Sequence, residues 1–219
     1  MSSNSNRSIR TVVHLMRHGE VYNPEGVLYG RLPGYKLSDL GKQMADKVAA
    51  SMTSRDIIDV WASPLERAQE TAAPAAEIHN VEIRTDDRLI EAANKLEGMK
   101  VSVGDGALKD PRNWRHLWNP ITPSWGEPYS EIAERMTSVI HEARDVARGH
   151  EILLVSHQLP VWIARMAGED RRLWHDPRNR QCSLASVTSF VFTDDELDAI
   201  AYSEPAADLV AKASKGAGA

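Results

Sequence analysis

Apolar positions along this chain follow two rhythms. TVVHLM (11–16), DVWAS (59–63) and EILLVS (151–156) are short, rich in β-branched residues and nearly continuous in hydrophobicity. Runs of that kind predict strands covered on both faces. Between the first two, Leu40, Met44, Val48 and Met52 recur every four residues, the period of one helix face. Ser38 stands where a helix cap belongs, and Asp39 suits the positive end of the helix dipole. A second stripe, Ile132, Met136, Ile140 and Ala143 or Ala147, predicts a helix near 128–147. SVTSFVFT (186–193) and DAIAYS (198–203) flank DDE and predict a hairpin or tight connection.

Buried strands separated by amphipathic helices imply a mostly parallel sheet with helices on both faces. The expected fold is therefore α/β, a three-layer α/β/α sandwich. Residues 1–8 are Ser/Asn-rich and residues 205–219 drift into Ala, Gly, Ser and Lys, so both read as flexible tails around a single domain over 9–204. No fixed-period repeat or linker divides that domain.

Composition limits the partners. A chain of 219 residues, 42% hydrophobic, can bury one sizeable core. Its net charge of −5 and its lack of a Lys/Arg block argue against nucleic acid or an anionic membrane as partner. Cys182 is the only cysteine, which excludes an intramolecular disulfide and fits a reducing cytoplasm. No apolar run reaches the length of a signal or membrane segment. The expectation is a cytoplasmic protein acting on a small molecule, with a homodimer left open.

The candidate chemistry sits at strand ends. In open α/β sheets, ligands bind beyond the carboxyl ends of the strands. Arg17-His18-Gly19 follows the first strand, and Ser156-His157 ends the third. SPLERAQET closes the second; the spacing of Ser63, Pro64 and Glu66 predicts a capping box, with Arg67 in the first helical turn. Each piece alone has a plain structural explanation. Together they place two guanidiniums and two imidazoles at one sheet edge, an arrangement that repels itself unless an anion fills the gap. Arginine forks match phosphoryl oxygens, and Gly19 allows a close backbone approach.

Other features carry less. His14 and His18 share an HxxxH spacing, but His14 lies within a strand; with one cysteine and no paired ligand spacing, no metal site is expected. GDG at 104–106 lacks the context of a dinucleotide loop and reads as a turn. Trp114 and Trp118, beside Arg112 and Arg115, fit either a short helix on the core or a substrate lid. Lys100 to Trp125 carries four Lys/Arg against two Asp, a local excess that favours a lid facing an anion.

Five motifs in order resemble the histidine phosphatase superfamily, the phosphoglycerate-mutase-like family. They are RHGEVYN (17–23), LSDLGKQMA (37–45), SPLERAQETA (63–72), WGEPYSEIAERM (125–136) and LLVSHQLPV (153–161). Met44 stands where the family usually has Ala, and Pro128 where it has Ser. The resemblance implies a phosphohistidine formed on His18, with Arg17, Arg67 and His157 holding the phosphoryl group. It implies Glu91 as the acid that protonates the leaving oxygen, with Glu97 as the alternative because the run after Glu91 is one residue shorter than usual. Asn23 is implied as a phosphate or substrate contact, although it falls one residue earlier than in the mutases. The implied activity is hydrolysis of a small phosphorylated metabolite by a phosphomonoesterase of histidine acid type, without metal or organic cofactor. The rivals are a cofactor-primed phosphoglycerate-type mutase, a non-catalytic binder of phosphate ligands, and a phosphatase acting on proteins.

Overall fold

The computed structural model describes residues 8–102, 105–106 and 126–213. Residues 1–7, Gly104, the segment with Arg112, Trp114, Arg115 and Trp118, and residues 214–219 lie outside the described residues.

Six strands form the central sheet in the order β3-β2-β6-β1-β7-β8. They are β1 (Arg10–Arg17), β2 (Ile57–Ala62), β3 (Ile83–Thr85), β6 (Glu151–Ser156), β7 (Val187–Thr193) and β8 (Glu196–Ser203). Two-residue strands β4 (Val101–Ser102) and β5 (Asp105–Gly106) pair with each other. β3, β2, β6 and β1 run parallel, and β7 and β8 extend the sheet antiparallel as the expected hairpin.

Successive residues of the buried strands feed opposite layers. Met16, Val60, Ala62, Leu153 and Val155 pack beneath α1 (Asp39–Met52) and α2 (Glu66–His79). Val13, Leu15, Trp61, Ile152 and Leu154 pack beneath α3 (Tyr129–Val146) and α4 (Gln158–Gly168). A strand that serves two cores admits a polar residue only with partners, as His14 has in Ser189 and Glu151, so its sequence is a nearly continuous apolar run. The molecule is an α/β/α sandwich.

Local chemistry sets the helix ends. Ser38 accepts the Gly41 N–H at 2.9 Å and caps α1. Asn80 ends α2 in the left-handed conformation, its N–H returning to Ala76. Order does not stop at residue 204. Ala206 is buried, α5 (Ala207–Val210) lies against the α1–α2 layer, and Asp208 meets Lys47, so the expected C-terminal tail begins as packed structure.

β1 lies between β6 and β7, and β2 flanks β6 on its other side. The register sets Arg17 beside Ser156 and Ala62 beside Val155. The carboxyl ends of three adjacent strands thus open onto one edge.

Candidate active site

Backbone hydrogen bonds fix the loop after β1 before any side chain acts. Arg17 N donates to Ser186, His18 N to Ser156, and Ala185 N returns to the His18 carbonyl at 3.2 Å. Gly19 N donates to the Thr71 hydroxyl at 3.1 Å, tying the loop to α2. Gly19 also lies against the first turn of α1, where a Cβ would stand 2.6 Å from the Gly41 carbonyl oxygen. A Cβ on Gly41 would stand 2.0 Å from the Glu20 carbonyl oxygen. The two glycines of RHGE and LSDLG therefore let two backbones touch.

His18 is buried, and its Nδ1 lies 2.7 Å from the Gly19 carbonyl. A carbonyl only accepts, so Nδ1 carries the proton and Nε2 keeps its lone pair. Burial holds the His18 pKa well below the usual range, with Arg67 and then Arg17 adding repulsion. The imidazole is neutral and its free nitrogen is Nε2.

Around it stand groups whose hydrogen-bonding capacity is only partly used. Arg17 donates Nη1 to the Cys182 carbonyl at 2.7 Å, and Arg67 donates Nη2 to the Gly30 carbonyl at 2.7 Å. The Arg67 guanidinium also lies 4.7 Å from the Tyr29 ring centre. His157 lies 5.1 Å from His18, ring centre to ring centre, with Nε2 2.7 Å from the Ser63 hydroxyl. Its pKa, too, is driven down by burial first and by Arg67 next. Arg17 Nε, Arg67 Nε, Arg67 Nη1 and His157 Nδ1 are buried and meet no acceptor among the described residues. Buried polar atoms without partners are costly, and their concentration beside a neutral histidine suits a bound oxyanion.

The interaction of His157 with Ser63 corrects one expectation. Ser63 does not cap α2. The helix begins at Glu66 with Leu65 as its N-cap and no side-chain capping bond, and Glu66 takes the Gly34 N–H instead. The serine hydroxyl meets His157 Nε2 at 2.7 Å and accepts the Leu65 N–H at 3.4 Å.

Glu91 arrives from the loop after a 3₁₀ turn, Asp87–Leu89, which Ser156 anchors by donating to the Leu89 carbonyl at 2.7 Å. Its carboxylate accepts the Ala92 N–H at 2.8 Å, and Arg31 Nε donates to its main-chain carbonyl. Burial raises the Glu91 pKa, opposed by that amide and by Arg67, Arg17 and Arg180. Glu97 serves differently. Its Oε1 accepts the backbone N–H groups of Arg31 and Asn94 at 3.1 and 3.3 Å, and so knits two loops. Asn23 also holds a loop, donating to the Val27 carbonyl at 2.8 Å and accepting the Val27 N–H.

The structure thus gathers Arg17, His18, Arg67, His157 and Glu91, and gives Asn23 and Glu97 loop-holding bonds. It adds Thr71, Tyr29 and Ser63, whose roles arise from contacts across the fold. Thr71 and Ser63 lie within a quoted motif, whereas nothing near Tyr29 in sequence marks it. A cleft of about 550 Å³ opens beside the Glu91 loop, lined by Arg31, Ala93, Asn94, Lys95, Glu97 and Glu127 among others. Among the described residues no group of three or more His, Cys, Asp or Glu side chains is placed to hold a metal, and no helix is long and apolar enough to cross a membrane.

The sequence profile of the histidine phosphatase superfamily (branch 1) matches residues 13–204. The chain belongs to that superfamily. An uncharacterized protein of Mycobacterium tuberculosis strain H37Rv is 57% identical over 197 residues, 90% of this chain and 98% of that protein. Phosphoserine phosphatase 1 of Hydrogenobacter thermophilus is 33% identical over 151 residues, 67% of this chain and 71% of that protein. Among solved structures, Bacillus stearothermophilus YhfR superimposes with a TM-score of 0.68 at 25% identity, covering 89% of this chain and 95% of that one. A relationship to phosphatases and mutases of the superfamily supports a phosphatase-type enzyme.

Proposed function

We propose that this histidine phosphatase relative hydrolyses a small phosphorylated metabolite through a phosphohistidine on His18. The observation that carries the reading is the pairing of His18, neutral with Nε2 free, with three buried guanidinium nitrogens and His157 Nδ1, which meet no partner among the described residues. Arg17, Arg67 and His157 bind the phosphoryl oxygens; with Ser63 donating to Nε2, His157 keeps its proton on Nδ1 for that purpose. The His18 Nε2 lone pair forms the N–P bond as the ester O–P bond breaks. Glu91, whose pKa burial raises, passes a proton to the departing oxygen. Water then attacks phosphorus, Glu91 takes a proton from it, and the N–P bond breaks to release phosphate. Guanidiniums fixed before reaction stabilise the charge that develops on the equatorial oxygens.

Hydrolysis is favoured over the mutase alternative. Val21 follows Glu20 where the mutases carry a hydroxyl, and its side chain is buried and offers no hydrogen bond. A non-catalytic binder would not need a lone pair on His18 or a proton on Glu91.

The test is chemical. Protein quenched during turnover of p-nitrophenyl phosphate should carry acid-labile, alkali-stable phosphate on His18. His18→Ala should abolish both label and turnover while keeping the wild-type circular dichroism. Full turnover by His18→Ala defeats the mechanism. Incubating 3-phosphoglycerate with a trace of bisphosphorylated primer should release inorganic phosphate, and rapid equilibration with the 2-isomer would favour the mutase.

A further inference from the structure

Glu91 lies in neither helix nor strand, so the main chain around it is held from outside. Between Arg88 and Ala93, four carbonyls are taken up by other parts of the chain. Arg135 Nη1 donates to Arg88, Ser156 Oγ to Leu89 at 2.7 Å, Arg31 Nε to Glu91 at 2.6 Å, and Glu127 N to Ala93 at 3.1 Å. Gly126 permits the last of these, since a Cβ there would stand 2.8 Å from the Ala93 oxygen.

One carboxylate governs two of the four bonds. Glu127 accepts Arg31 Nη2 at 2.9 Å, and it accepts Arg135 Nε and Nη2 at 2.8 and 3.2 Å. Each guanidinium thus bridges Glu127 to a main-chain carbonyl of the acid-bearing loop. The backbone of Arg31 is fixed as well, its N–H donated to Glu97. Glu127 and Arg135 are largely withdrawn from water, with side chains 12% and 16% exposed. Without the carboxylate, two like charges would face each other and both long side chains would regain their rotamers.

The carboxyl of Glu91 follows its main chain. It accepts the N–H of the next residue, Ala92, at 2.8 Å, which ties it to the local backbone. A shift of that backbone therefore moves the acid with it. Misplacing a catalytic group by about 1 Å costs on the order of 100-fold in rate.

Resting on the hydrolase reading, we propose that Glu127 is a positioning residue of the reaction, which aims the Glu91 carboxyl at the leaving oxygen through Arg31 and Arg135. Its carboxylate touches neither substrate nor phosphoryl group. It acts on one proton transfer only, and that sets its signature.

The experiment pairs p-nitrophenyl phosphate, whose leaving oxygen needs little help from an acid, with phenyl phosphate, whose leaving oxygen needs more. Glu127→Gln keeps the shape and removes the charge that holds two guanidiniums. With wild-type circular dichroism, it should lower kcat/KM for phenyl phosphate about 10- to 100-fold and for p-nitrophenyl phosphate less than about threefold. In a Glu91→Gln background the same substitution should cost less than about threefold on either ester, because the group it aims is gone. Arg31→Lys keeps a charge but cannot fork between Glu127 and the Glu91 carbonyl, so it should divide the esters in the same way. It carries the test if Glu127→Gln does not fold.

Equal losses on the two esters would overturn the proposal. Gly30, next to Arg31, supplies the carbonyl that holds Arg67, and damage by that route would slow every ester alike. A full loss from Glu127→Gln in the Glu91→Gln background would overturn it too. A wild-type enzyme that turns over neither ester would defeat the hydrolase reading itself, and the proposal with it.

Discussion

Single titrating groups set opposite pH limits on this protein. Glu91 is raised by burial, so the native state holds its proton at pH values where the unfolded chain has lost it. Its contribution to stability is complete below the unfolded value and is lost as pH rises through the folded value. His18 and His157 are lowered, so their contribution is present above the unfolded value of 6.5 and is lost as pH falls through the folded values. Glu91→Gln, neutral at every pH, should therefore raise the melting temperature at pH 8 and leave it nearly unchanged at pH 4. A calorimetric pH series reads this directly, and a variant less stable at pH 8 would contradict the buried, proton-bearing carboxyl. In catalysis the same variant should slow alkyl phosphates by about 10²- to 10⁴-fold, the span of general acid catalysis. An aryl phosphate, whose leaving group needs little protonation, should lose far less in the first chemical step. Equal losses on both would move the acid role to another group.

At the scale of elements, the closest backbone approach in the site is between the Gly19–Glu20 loop and the first turn of α1. Glycine inside a helix usually costs about 0.5–1 kcal/mol relative to alanine, so Gly→Ala there normally stabilises. Gly41→Ala should do the reverse, because the added methyl would meet the Glu20 carbonyl at 2.0 Å, two residues along the loop from His18. A loss of about 1–3 kcal/mol is the usual result of overpacking, and here it should come with a fall in kcat. Urea unfolding and p-nitrophenyl phosphate turnover check both, and a stabilised, fully active Gly41→Ala would show that the loop is free to shift. The legibility of the site follows the same division. β1, β6, α1 and α3 were readable because each buries a regular face, and Arg17, His18, Arg67 and His157 were readable because they sit where those elements end. β3 is a three-residue edge strand with exposed side chains and leaves almost no apolar signal. Glu91 comes from a loop and was indicated by resemblance alone. The capping expectation at Ser63 failed because the helix begins at Glu66, two residues beyond the predicted start, which leaves the Ser63 hydroxyl to the Leu65 N–H and to His157. Tyr29 and Arg31 owe their places to residues far along the chain, which no local pattern encodes.

Considered whole, the molecule carries a net charge of −5 yet buries Arg17, Arg67, His18 and His157 around one point. An anion that fills that point should therefore stabilise the folded protein. A ligand that binds only the folded state adds about 2.7 kcal/mol when present at a hundred times its dissociation constant. For a domain of this size each kcal/mol raises the melting temperature by about 2–4 °C, so saturating orthophosphate or vanadate should give a shift of roughly 5–10 °C. Chloride at matched ionic strength separates site binding from general screening, since it cannot accept from several fixed donors at once. Arg67→Gln should lose most of the shift, because Arg67 holds two of the four unmatched nitrogens. His18→Ala should keep most of it, because His18 presents a lone pair to phosphorus rather than a donor to oxygen. Loss of the shift in His18→Ala, with retention in Arg67→Gln, would reverse the roles assigned to the two side chains. No shift in the wild type would mean that the buried nitrogens are satisfied by something other than a phosphoryl oxyanion.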